Sequence, residues 1–433
     1  MFVRISLIAA MALICGPVSA AWFAPKPPSA PQAPEAPKAA KASPASRVRP
    51  APPKTPTPPM QFYAVKGAAD ACGRGCDRWI QLEGQIDGGA AARFRKFFVK
   101  LRDRNMPLYF YSPGGNLDQA MAMGTLLHEK PAIARVGRTI LADCGFEAQD
   151  SDVCLKLKRS GRELHGELTT RGVLCGSACP YLLLGASTRE IAPDAALAVH
   201  NSRIVITFTG GKPTPTMVAA ANARAHERSD QTIAAYFARV RGDAALLALA
   251  RTVKFEDMHV LTREEIVRFG IDKREFADTP WIFEPGAHSM VRKLAIQRKA
   301  GEASFHMLQW RVVCFDSDRF ELDFQRPILA NATFATVSLA NGGDKPLGFT
   351  YPPRRGAGIE QWGLRLNKAS LQPLADLPLA EFTETSLTSD GQQLPYKEKL
   401  SSDGLARSLD ALFGTCPAAK AQTVGANEQA ATK

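Results

Sequence analysis

From residue 79 to residue 128 the hydrophobic period switches back and forth, and this alternation narrows the possible folds more than any other feature of the chain. Residues 79–86 read as a strand, and 90–102 as an amphipathic helix with Phe94, Phe97, Phe98 and Leu101 on one face. A second apolar run, 106–111, is stopped by Ser112-Pro113-Gly114-Gly115, after which 117–128 returns to helical spacing. Strand, helix, strand, glycine turn and helix in this order imply an α/β layer architecture with parallel strands.

The same texture continues further on. An apolar block at 181–184 follows Cys175-Gly176-Ser177-Ala178-Cys179, then come short strand-like runs at 189–192 and 196–199 and helical spacing at 217–240, 244–252 and 262–269. Beyond Pro285 the pattern becomes β-like alternation, as in Trp310-Arg311-Val312-Val313-Cys314 and Phe320-Glu321-Leu322-Asp323-Phe324, with Asn341-Gly342-Gly343 as a turn signal. The expected organisation is an α/β domain over 61–285, a β-rich C-terminal domain over 286–417 and a frayed tail over 418–433. Trp281 to Phe283 is expected to seat the first domain on the second, because aromatic anchors serve such contacts. There are no internal repeats.

Ahead of these lies a segment that cannot build a core. Residues 1–20 carry Arg4, an apolar run from Ile5 to Ile14 and the small-residue end Val18-Ser19-Ala20, the pattern of a secretory signal peptide. The apolar run is too short to cross a bilayer. Residues 21–60 are Pro, Ala, Lys and Ser with almost no large apolar side chain, which favours an extended spacer of polyproline II type. Six basic side chains stand there against Glu35 alone, so net five of the formal +12 belong to this linker. A basic stalk can lie along anionic envelope polymers or lipid head groups, although a solvated linker is the simpler reading. The chain has no aromatic-interleaved basic patch of the kind that binds nucleic acid.

Of nine cysteines, Cys15 falls within the signal, leaving Cys72, Cys76, Cys144, Cys154, Cys175, Cys179, Cys314 and Cys416. An even number in an exported chain reads as disulfides, and no histidine stands at zinc-ligand spacing from any of them. Neither metal nor cofactor is expected. Cys314 with Cys416 would close a long loop, worth up to ~4.7 kcal/mol in the entropic account. Cys72 with Cys76 is local and plausible, and the pairing among Cys144, Cys154, Cys175 and Cys179 stays open.

Three segments carry candidate chemistry. The turn Ser112-Pro113-Gly114-Gly115 can present a backbone N–H to an oxyanion, because glycine lets the backbone approach closely. Ser177 stands among small residues at an expected helix start, where a serine is either a capping hydroxyl or a nucleophile with the Ala178 N–H beside it. His200 closes an apolar strand and acts as a base only where a hydroxyl lies within hydrogen-bond reach.

Taken in order, Ser112-Pro-Gly-Gly, Gly176-Ser177-Ala178 with Tyr181-Leu-Leu-Leu-Gly185, Arg189, Pro193 and Leu197-Ala-Val-His200 resemble the proteolytic subunit of Clp protease, within the Clp-protease/crotonase superfamily. The similarity covers about residues 78–273 and is closest to exported, cysteine-bearing bacterial relatives. The resemblance implies a parallel sheet with flanking helices, Ser177 as nucleophile, His200 as general base, and Gly115 and Ala178 as oxyanion donors. It further implies Asp257 as the triad acid, one residue out of the usual spacing from Leu261, which leaves Glu256 as the other candidate. Residues 140–172 are an insertion relative to the family, either a lid over the site or a decoration. The expected activity is that of a periplasmic, ATP-independent serine peptidase acting on peptides or unfolded chains. Self-association is a further expectation of the resemblance. A silent binding or scaffold protein on the same fold is the alternative, since fold does not decide function.

Overall fold

The computed structural model describes residues 57–101, 103, 105–208, 212–299, 301–328, 332–340, 347–348, 354–377, 379–388 and 392–418. The signal segment, nearly all of the linker and almost the whole tail lie outside them.

The apolar runs of the first half become the strands of one mixed sheet. Its elements in chain order are β1 (Gln61–Lys66), β2 (Arg78–Glu83), α1 (Ala90–Lys100), β3 (Leu108–Tyr111), α2 (Leu117–His128), β4 (Ile133–Val136), β5 (Arg138–Leu141), α3 (Asp152–Lys158), β6 (Leu164–Thr169), β7 (Leu174–Gly176), α4 (Cys179–Leu184), β8 (Thr188–Glu190) and β9 (Ala196–Val199). After these come α5 (Pro215–Val240), α6 (Ala244–Thr252), β10 (His259–Val260) and α7 (Arg263–Arg268). The main sheet runs β5-β6-β1-β2-β3-β4-β8. Strands β2, β3, β4 and β8 are mutually parallel, as helical crossovers demand, while β1 pairs antiparallel with β2. This is an α/β architecture with a parallel core. Phe94 and Phe98 of α1 and Met123 and Leu127 of α2 are buried against it, which is what their helical spacing required.

Residues 140–172 do not form a lid. Strand β6 pairs parallel with β1, and β5 pairs antiparallel with β6, so this segment lengthens the sheet at its far edge. Lys158 on α3 forms a buried ion pair with Glu83 of β2 that fastens the addition down.

Strands β7, β9 and β10 form a second small sheet, in the order β10-β9-β7. It is tied to the main sheet where Ser112 N–H donates to Leu174 O (3.1 Å) and Gly176 N–H donates to Ser112 O (2.9 Å).

From Phe276 onward the strands are antiparallel. Met290–Gln297, His306–Asp316, Arg319–Pro327 and Ile359–Leu366 lie side by side, with a core of Trp310, Phe320, Phe324 and Trp362. A four-stranded sheet includes Ala332–Ala340 and Leu347–Gly348, which pair antiparallel across the expected Asn341-Gly342-Gly343 turn; the turn itself lies outside the described residues. Trp281 is buried in this antiparallel core, its Nε1–H donating to Ser401 O at 2.9 Å, so it anchors the second half from within.

Four disulfides are present among the described residues: Cys72–Cys76, Cys144–Cys154, Cys175–Cys179 and Cys314–Cys416. Such a set fits an oxidising environment. Among the described residues, no helix is long and apolar enough to cross a membrane.

Candidate active site

Parallel pairing of β7 with β9 brings the two candidate side chains together. The register sets Cys175 opposite Leu197 and Gly176 opposite Ala198, so Ser177 and His200 leave the same edge of the small sheet. His200 Nε2 lies 2.7 Å from Ser177 Oγ. The serine occupies the left-handed region at φ 58°, a conformation that costs a non-glycine residue about 1–3 kcal/mol and persists where the surroundings impose it. Its hydroxyl does not cap α4; the capping position is Ala178, which offers no side-chain bond to the helix. The hydroxyl thus meets the imidazole and does not serve as a helix cap.

Neither carboxylate expected as the third member reaches His200. Its Nδ1 faces the backbone carbonyl of Phe255 at 2.6 Å. The reason is the register of β10, which sets His259 opposite Val199 and so brings the turn before it alongside His200. Within that turn Asp257 is exposed, and its N–H donates to Lys254 O. Glu256 turns outward to Arg203 at 2.7 Å. The Arg203 guanidinium also lies 4.2 Å from the Phe255 ring centre, and the His200 ring stacks on the same phenyl at 5.0 Å. His259 belongs to another pair, with Glu265 at 2.8 Å. A backbone acceptor leaves no trace in residue type, so sequence reasoning had no signal for Phe255.

The glycine turn forms the opposite wall. Gly114 has φ 101° and Gly115 φ 136°. A β-carbon on Gly114 would stand 2.5 Å from Ser177 Cβ, and one on Gly115 would stand 2.2 Å from Ile86 O. Both positions therefore exclude any side chain. Ile86 N–H donates to Gly114 O and Asn116 N–H to Ile86 O, so the Gly115 N–H points to the other side, into the cavity it shares with Ser177 and Ala178. Asn116 also caps α2 by accepting from Gln119 N–H, which ties the turn to a rigid helix.

This cavity of about 700 Å³ is walled on its far side by residues 201–205 and by one face of α5, with Ala225, Arg228, Ser229 and Thr232 at helical spacing. No residue of the 140–172 segment lines it. Tyr181 also faces the cavity, with burial raising its phenol to about 12, so it stays protonated and cannot serve as a base near neutral pH. Among the described residues no group of His, Cys, Asp and Glu is arranged to hold a metal ion.

No family model matches the chain, and no curated protein matches it. Among solved structures it is similar to a 1510-N membrane-bound stomatin-specific protease, in a mutant form, at 16% identity and a TM-score of 0.27, over 45% of this chain and 75% of that one.

Proposed function

We propose that this chain is an exported serine hydrolase of the Clp-protease/crotonase type, with a Ser177–His200 dyad and peptides or unfolded polypeptides as substrates. One observation carries the reading: the 2.7 Å contact between Ser177 Oγ and His200 Nε2, with Nδ1 engaged by the Phe255 carbonyl. A carbonyl can only accept, so Nδ1 carries the hydrogen and Nε2 presents its lone pair to the hydroxyl. That is the tautomer a general base requires.

In this reading Ser177 Oγ attacks an acyl carbon while its proton passes to Nε2. The oxyanion receives hydrogen bonds from the Gly115 and Ala178 N–H groups, and the imidazolium returns the proton to the leaving group. Water then releases the acyl group by the same route. The Phe255 carbonyl dipole supports the imidazolium without a full negative charge, which gives weaker support than a buried aspartate. Peptide substrates are favoured by the ordered motifs shared with the Clp proteolytic subunit and by a cavity large enough for several side chains.

Within this proposal residues 1–20 are a signal peptide, 21–60 a spacer that gives reach from the envelope surface, 61–285 the catalytic domain and 286–417 a β-rich domain, with a periplasmic location matching the four disulfides. The test is an uncharged fluorophosphonate probe on the oxidised full chain. Labelling of the wild type that is lost in Ser177→Ala and His200→Ala supports the hydrolase. A folded, unreactive wild type would instead leave a scaffold.

A further inference from the structure

The pairing of Cys175 with Cys179 places a covalent link directly across the candidate nucleophile. Cys175 lies in β7 and Cys179 opens α4, both are fully buried, and their Cα atoms are 5.2 Å apart with Ser177 midway between them in sequence. The three residues they enclose form the turn from strand to helix, and the middle one is held at φ 58°. Two backbone bonds hold the strand side, Gly176 N–H to Ser112 O and Ser177 N–H to Ala198 O, both 2.9 Å. The helix side has only six residues in α4 and no side-chain cap to fix where it begins. The disulfide adds to the main chain a second covalent tie between the strand end and the helix start.

Left-handed backbone is disfavoured for serine and relaxes unless the surroundings over-determine it. Relaxation toward ordinary φ would swing Oγ away from Nε2 and tilt the Ala178 N–H out of the cradle, because both groups ride on the same peptide units. We infer that Cys175–Cys179 is a positioning element for the reaction, holding Ser177 and the Ala178 N–H in their reactive geometry. This rests on the Ser177–His200 reading and adds to it the device that sets the dyad. Forming the bond removes two thiol hydrogens as two protons and two electrons, which pass to a disulfide-bearing oxidant by thiol–disulfide exchange. Acquisition of reactivity is thereby tied to arrival in an oxidising compartment.

The experiment compares oxidised wild type, Cys175→Ala/Cys179→Ala and, as control, Cys144→Ala/Cys154→Ala, which removes the disulfide of the 140–172 addition. The readouts are the second-order rate of fluorophosphonate labelling well below the unfolding midpoint and hydrogen exchange at the Ser177 amide. Removing Cys175–Cys179 is expected to slow labelling on the order of 100-fold, the size of effect produced by displacing a reacting group by about 1 Å, and to deprotect the Ser177 amide. The control pair should label at the wild-type rate. If the alanine pair does not fold, Cys175→Val/Cys179→Ala refills the core and is read the same way. Wild-type labelling in a folded variant lacking the bond overturns the inference and leaves the dyad standing; absence of labelling in the wild type itself removes both.

Discussion

His200 and Phe255 are joined through the imidazole Nδ1 and a main-chain carbonyl 2.6 Å away, at the place where a carboxylate was expected. A carbonyl of fixed geometry sets tautomer and orientation as a carboxylate does, but it brings a dipole in place of a charge.

Substitution of the neighbouring acids should therefore have little effect. Asp257→Asn and Glu256→Gln are expected to stay within about twofold of the wild-type fluorophosphonate labelling rate, because neither side chain touches His200. His200→Ala should lose several orders of magnitude, as removal of a base from such a unit does. A loss of more than about tenfold in Asp257→Asn, an effect worth roughly 1.4 kcal/mol, would show that the carboxylate acts in the reaction after all.

Gly114 supports the serine by having no side chain. Gly114→Ala places a β-carbon 2.5 Å from Ser177 Cβ and 2.7 Å from Gly176 O, and the neighbours are main chain or the stem of Ser177 itself. The expected outcome is a loss of labelling by about 100-fold or more, the range seen when an oxyanion donor is removed. Circular dichroism and the urea midpoint of the antiparallel half serve as the check that the chain still folds.

Asp323, on strand Arg319–Pro327 of the large antiparallel sheet, gives a pH test. Burial, with the neighbouring Glu321 carboxylate adding to it, raises its carboxyl to about 6 even though the Arg311 guanidinium stands 3.0 Å away. Glu321 is itself paired with Arg354 at 2.8 Å. A folded-state value above the ordinary 3.8 means that folding favours the protonated acid. The stability it contributes is whole below about pH 4 and is lost as pH rises through about 6. At about 1.4 kcal/mol for each unit, the effect is on the order of 1–3 kcal/mol. Urea midpoints at pH 5 and pH 7.5 should fall in that direction for the wild type and flatten in Asp323→Asn; equal slopes in the two proteins would exclude Asp323 as the source.

The Cys314–Cys416 bond closes a loop with a sequence separation of 102 and joins a central strand to the end of the helix Leu405–Thr415. Replacing both with alanine should lower the stability of the antiparallel half by about 2–4 kcal/mol, since long loops gain most from closure. Labelling of Ser177 at low temperature is expected to be unaffected. A simultaneous loss of labelling would mean that the two halves unfold as one cooperative unit.

Periodicity and turn chemistry were enough to read the local structure. Strand and helix positions around Ser112-Pro-Gly-Gly, the change to antiparallel alternation and the helices at α2, α5 and α6 all follow from which side chains share a face, which is a property of neighbours in sequence. The candidate pair Ser177 and His200 was legible through the ordered motifs that resemble the Clp proteolytic subunit, whereas the parallel pairing of β7 with β9 that sets them side by side was not. What sequence could not supply was everything decided by pairing between distant segments. The partner of Nδ1 is a main-chain atom set by the register of β10 on β9, which Asp257 and Glu256 only flank. Residues 164–169 became sheet because β1 had a free edge to offer. Four cysteines allowed three pairings, and the distances between their α-carbons selected Cys144–Cys154 and Cys175–Cys179. Local preference acts through a few bonds along the chain, whereas these outcomes depend on which hydrogen-bonding edges and side chains meet once the chain has packed.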